Sequence, residues 1–141
     1  MSLKKTLTKR TTLNARNKGR RGEREVIEVI KSLTDLQLEV NYAQSFGGGH
    51  DLLGGEPYAI EVKRRKAVSP GDIRQWWKQT YEQAEKIELI PCLWYRADRA
   101  HWQVVIPHTS KHFPNKDFNC TATITPELWA EIAKETFSAT Q

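Results

Sequence analysis

The run Tyr58–Lys63 (YAIEVK) reads as a short strand that carries an acid and an amine on the same side. Side chains alternate along an extended chain, so Glu61 and Lys63 share one face while Ile60 and Val62 share the other. Taken alone, the pair fits an exposed edge with a solvated ion pair of little weight. Asp51 changes this. It lies ten residues before Glu61. The intervening turn, Gly54-Gly55-Glu56-Pro57, folds the two segments into a β-hairpin, which brings Asp51 across to Glu61 and Lys63. Two carboxylates held close repel each other unless a cation sits between them. Hard oxygen donors, completed by water and a phosphate oxygen, suit Mg2+ or Mn2+.

Glu23 supplies a further carboxylate. From Gly19 to Leu33 the apolar residues Val26, Ile27, Val29, Ile30 and Leu33 recur at helical spacing. Glu23 lies three, four and seven residues before Val26, Ile27 and Ile30, so it extends the stripe that faces the sheet, whereas Glu25 and Glu28 fall on other faces. An inward carboxylate in the first turn either caps backbone N–H groups or reaches the acidic site.

The elements that position these residues follow in order. Residues 36–46 (LQLEVNYAQSF) alternate as a strand, with Leu36, Leu38, Val40 and Tyr42 on one side, and Gly47-Gly48-Gly49 ends it. The hairpin of His50–Leu53 and Tyr58–Lys63 comes next. Ser69 caps a second helix, with Pro70 first and Asp72 closing an S-x-x-D box. Its inner stripe is Ile73, Trp76, Trp77, Thr80, Tyr81, Ala84 and Ile87. Strands are expected near 89–96, 101–106 and 119–124, then a last helix after Thr125-Pro126 with Leu128, Trp129, Ile132 and Phe137 inward. The order is α-β-β-β-α-β-β-β-α, an α/β (α+β) arrangement with a mixed central β-sheet flanked by helices.

Three motifs together resemble a known family. K-G-x-x-x-E-R-E at Lys18–Glu25, G-x-D at Gly49–Asp51 and I-E-V-K at Ile60–Lys63 look like the PD-(D/E)xK nuclease superfamily, and within it the archaeal-type Holliday junction resolvases. The likeness covers residues 18–66, and the element order agrees to about residue 106. It implies a restriction-endonuclease-like fold and metal-assisted phosphodiester hydrolysis in DNA. It further implies catalytic roles for Glu23, Asp51, Glu61 and Lys63. Asp51 and Glu61 would be the main metal ligands, joined by the Val62 carbonyl and by Glu23 directly or through water, while Lys63 would orient the attacking water and offset charge on the phosphate. Ser45 would stand near the position of a DNA-contacting serine in those resolvases. A four-way junction has two equivalent strands to cut, which implies a homodimer. Other superfamily nucleases (restriction-like, nicking or end-processing) and a non-catalytic DNA-binding accessory protein are the alternatives.

Charge points the same way. Of 22 Lys and Arg, eight fall within residues 1–21, a stretch with no acid; the rest of the chain holds all 17 Asp and Glu. Residues 1–17 lack any period and read as a flexible basic arm before a single nuclease domain over 18–141, the arm being either a phosphate-binding element or a solvated tail. Candidate DNA contacts are Lys18, Arg20, Arg21, Arg24, Ser45, Arg64, Arg65, Lys66 and Gln79. Of the stripe Gln75, Gln79 and Gln83, Gln79 is favoured because it follows inward Trp76 by three residues. His50 reads as a loop residue, the five Trp as core, and Cys92 and Cys120 as free thiols. No His or Cys spacing suggests zinc. No apolar run has the roughly 18–20 residues of a membrane helix, and the reading is a cytoplasmic protein of a prokaryote or a phage-infected cell.

Overall fold

The computed structural model describes the backbone of residues 3–43, 49–108 and 116–140 and the side chains of 19–43, 49–108 and 116–137. The elements are α1 (Leu3–Thr34), β1 (Glu39–Val40), β2 (Leu52–Leu53), β3 (Tyr58–Arg65), α2 (Pro70–Lys86), β4 (Ile90–Ala97), β5 (Gln103–Pro107), a 3-10 turn (Phe118–Cys120), β6 (Thr121–Ile124) and α3 (Pro126–Thr140). One six-stranded sheet runs β1-β2-β3-β4-β5-β6. Among the described residues only the β3–β4 pair is parallel, and its strands are joined through the α-helix α2. That follows from geometry, since parallel neighbours need a long crossover while antiparallel ones need only a turn. The mixed sheet with flanking helices matches the expected restriction-endonuclease-like architecture.

Alternation along β3 and β4 divides the core in two. Ile60, Val62, Cys92 and Trp94 pack with Val26 and Ile30 of α1 and with Trp129, Ala130 and Ala133 of α3. Trp94 and Trp129 meet edge to face at 5.3 Å between ring centroids, and Tyr58 meets Trp129 at 5.5 Å, an arrangement that aromatic quadrupoles favour. On the opposite face Leu93 and Val105 pack against Trp76 and Trp77 of α2. Glu61 sits in register with Leu93, so it points to the α2 face. The Ser69 cap is present as read: its hydroxyl accepts from the Asp72 N–H at 3.1 Å and the Asp72 carboxylate accepts from the Ser69 N–H at 3.0 Å.

Several expectations are corrected. The basic segment is part of α1, which begins at Leu3, where a flexible arm over 1–17 was expected. The segment has no apolar period to announce a helix, yet Lys, Arg, Leu and Ala are good helix formers, and extending a helix already nucleated by packing costs far less than starting one. Of the strand expected over 36–46, residues 44–46 lie outside the described residues, and within 36–43 the strand is Glu39–Val40; Leu38 is buried but Tyr42 is 65% exposed. The backbone turns at Tyr42 and Ala43, and the Asn41 side chain donates to the His50 carbonyl at 2.9 Å. Leu128 and Ile87, expected inward, are exposed. Cys92 and Cys120, by contrast, are free as read.

Gly22 sets how closely α1 approaches β3. A Cβ there would lie 3.2 Å from the Arg64 Cβ and 3.4 Å from the Val62 Cγ1. Larger side chains must push the helix off the strand. Gly22→Leu is expected to destabilise the protein by about 1–3 kcal/mol, measured by urea unfolding; an unchanged midpoint would show that the close approach is not required.

Candidate active site

The pairing of β2 with β3 covers only Leu52 against Ile60. Past that point the ladder continues through a side chain. The Val62 N–H donates to Asp51 Oδ2 at 2.7 Å, in the place a neighbouring strand's carbonyl would take. The backbone of Asp51 is itself fixed on both sides: its N–H donates to the Ile60 carbonyl at 2.9 Å, and its carbonyl accepts from the Asn41 N–H at 2.8 Å. The short hairpin thus does what its sequence implied, and locks Asp51 beside Glu61.

Both carboxyls are buried, Asp51 at 7% and Glu61 at 4% exposure. Burial first, then the neighbouring Asp51, pushes the Glu61 carboxyl up to about 9, and Asp51 also shares a hydrogen bond with it. Lys63 pulls the other way. Its Nζ stands 3.8 Å from Glu61 Oε1, a loose contact that does not offset desolvation plus a second acid. Glu23 reaches the same group from α1. Burial, then Asp51, pushes its carboxyl up to about 7, against the pull of Arg20, Arg24 and Lys63. Its Oε2 is buried with no hydrogen-bond partner, and since α1 begins at Leu3, Glu23 lies well inside the helix and does not cap its N-terminus.

α2 contributes a residue that sequence reasoning missed. With its amide nitrogen turned inward, Gln83 donates to Glu61 Oε2 at 3.0 Å and to the Gly49 carbonyl at 3.1 Å. It bridges β3 and the glycine-containing approach to Asp51. Gln79, the residue favoured from the sequence, is exposed on the outer side of α2. Phase could not separate the two: Gln79 lies three residues after buried Trp76 and one before buried Thr80, and Gln83 stands in the same relation to Thr80 and Ala84.

The other expected residues divide. Arg64 is not a free cation: it pairs with Glu25 and, at 3.4 Å, with Asp98. Glu25 also accepts from Arg96 Nε at 3.0 Å and from the Trp102 indole at 3.2 Å. Two arginines side by side in register on β3 and β4 need such an acid between them, and that spends Arg64 on tying α1 to the sheet. Arg20, Arg21, Arg24 and Lys66 are exposed, and Arg65 is half-buried with its guanidinium over Trp76. The side chain of Lys18 and all of Ser45 lie outside the described residues. His50 is buried, with both ring nitrogens lacking a hydrogen-bond partner, more enclosed than a loop residue was expected to be.

Two comparisons bear on this geometry. Residues 14–136 match the model of a family described as "Phage putative PDDEXK endonuclease". The chain belongs to this family. The match takes in every acid of the site and extends through most of α3, well past the segment whose motifs carried the resemblance. A relative, Protein D14 of Escherichia phage T5, is 27% identical over 114 aligned residues, covering 67% of this chain and 71% of that protein. Members of the PD-(D/E)xK superfamily generally use divalent metals such as Mg2+. Among the described residues no group of three or more His, Cys, Asp and Glu is already arranged as a metal cage. The chemistry of the donors nonetheless fits a hard cation: two buried acids in mutual contact, and a third with an orphaned oxygen.

The raised carboxyls make stability depend on pH. Without a cation the folded protein keeps protons on Glu23 and Glu61 that the unfolded chain has released above about 4.5. Stability from these groups is therefore full below that value and is lost as pH rises through about 7 and then about 9. The melting temperature in chelator is expected to fall between about pH 5 and pH 9. Glu61→Gln, which keeps the shape and removes the charge, should flatten that slope. A slope unchanged by the substitution would contradict the assignment.

Proposed function

We propose that this chain is a divalent-cation-dependent endonuclease that cuts branched DNA, four-way junctions above all, and acts as a homodimer. The observation that carries the catalytic reading is the buried Asp51–Glu61 pair with Lys63 at its rim. Glu23, Asp51 and Glu61, with the Val62 carbonyl, are the groups that would hold Mg2+ or Mn2+. When bound, the cation would polarise the scissile phosphate. Asp51 positions the strand through Val62, Gln83 orients Glu61, and Lys63, whose side chain is 18% exposed, presents positive charge where a phosphate would arrive. Exposed Arg20, Arg21, Arg24 and Lys66, half-buried Arg65 and the basic residues before them, Lys18 among them, would bind flanking phosphates, with Ser45 as a further contact. Arg64 and Gln79 are left out of that set.

The junction and the two-fold dimer are supported by the likeness of the Lys18–Glu25, Gly49–Asp51 and Ile60–Lys63 motifs to junction resolvases. The family description speaks of an endonuclease and is equally compatible with a second reading, another PD-(D/E)xK nuclease that is restriction-like, nicking or end-processing and cuts plain duplex. No described helix is long and apolar enough to cross a membrane, and the phage relative fits a protein working in an infected cell.

Purified protein with Mg2+ should cut a synthetic four-way junction at least about tenfold faster than its linear arms. Equal rates would remove the junction preference and leave the second reading. Asp51→Asn, Glu61→Gln and Lys63→Met should each lower cutting by at least about a hundredfold, the scale of losing one electrostatic group at a reaction centre, with DNA binding kept. Absence of cutting by the wild type on every DNA offered would favour a non-catalytic accessory role.

A further inference from the structure

Tyr42 is the most exposed large hydrophobic residue among those described, at 65%. Its place is fixed from two sides. The preceding residue, Asn41, donates its backbone N–H to the Asp51 carbonyl at 2.8 Å and its side-chain amide to the His50 carbonyl at 2.9 Å. The Tyr42 ring therefore stands one residue from the segment that carries a catalytic acid. On the other side the Arg20 guanidinium lies over the ring, 4.8 Å from its centroid. Arg20 is in turn close enough to Glu23 to pull its carboxyl down electrostatically. The ring and the guanidinium thus form the rim of the acidic site, one supplied by the end of β1 and one by α1.

The Tyr42 ring is largely exposed at the edge of a charged site. It joins neither side of the core. A guanidinium over a ring is a pair that suits a nucleotide: the cation meets a phosphate and the ring offers a π-face to a base. Bases inside regular duplex are stacked on each other and cannot use it. Only a base released from its stack, at a branch, a bulge or an unpaired position, can do so.

We propose that Tyr42, backed by Arg20, stacks on an unstacked nucleobase next to the scissile phosphate, and so makes this chain select DNA with unpaired or displaced bases at the cutting site. The inference rests on the nuclease reading and specifies its substrate class. It places the selectivity in one ring at the rim, separate from the acids that hydrolyse the phosphodiester. Tyr42 is then a specificity residue, and its loss should leave hydrolysis of plain duplex largely unchanged.

The test compares kcat/KM on a duplex with a single unpaired nucleotide and on the same duplex fully paired, in Mg2+. Wild type should prefer the first. Tyr42→Ala should lose at least about fivefold of that preference, the lower end of what one base–aromatic stack contributes, with the paired duplex cut as before. Tyr42→Trp should keep the preference. Equal preference in wild type and Tyr42→Ala, or a proportional fall on both substrates, would overturn the proposal. A second measurement separates it from the nuclease reading. Asp51→Asn protein is titrated into DNA carrying 2-aminopurine at the unpaired position. A fluorescence change that Tyr42→Ala abolishes in the same background supports the stack, whether or not the wild type cuts. An identical change in both proteins overturns it.

Discussion

The site depends on one substitution of bonding partners. Where β2 stops, the Val62 N–H is satisfied by the Asp51 carboxylate at 2.7 Å. That bond brings a second acid against Glu61 inside the protein, and burial makes the closeness expensive. The Glu61 carboxyl responds by holding its proton up to about 9. Without a cation Glu61 keeps its proton beside Asp51; the oxygens of the two acids are the ones proposed to hold a cation. A continuous strand in place of Asp51 would give a longer sheet and no chemistry.

Much of the surrounding structure serves to hold that arrangement. Gly22 lets α1 approach β3 closely enough for Glu23 to join the acids. Glu25, two residues later, fastens the same helix through Arg64, Arg96 and Trp102. Gln83 restrains Glu61 from the opposite layer. Thus both helical layers and both core halves converge on one strand, and the parallel β3–β4 pair at the middle of the sheet gives that strand a rigid base. The family match over residues 14–136 is consistent with the whole chain being organised around this strand.

The legible part of the sequence was the part governed by local periodicity. Alternation placed Glu61 and Lys63 on one side, the two-glycine turn placed Asp51, and helical phase picked Glu23 over Glu25. The less legible part depended on partners far along the chain. Arg64 looked like a free phosphate ligand because Glu25, 39 residues earlier, looked outward. Three glutamines at spacing four offered no local reason to prefer one, and the choice fell one turn short of Gln83. β1 read too long because its alternation ran on through Asn41 and Tyr42, whereas the backbone turns at Tyr42 and Ala43. The helix before Lys18 had no apolar period to reveal it.

Calorimetric titration of Mn2+ into metal-free protein near pH 8 tests the central claim most directly. If the buried acids are a cation site, the wild type should bind Mn2+ and release protons as Glu61 ionises, so that the measured heat varies with the ionisation enthalpy of the buffer. Asp51→Asn should lose both binding and proton release. Failure of the wild type to bind, or binding by Asp51→Asn with the same affinity and proton release, would contradict the account.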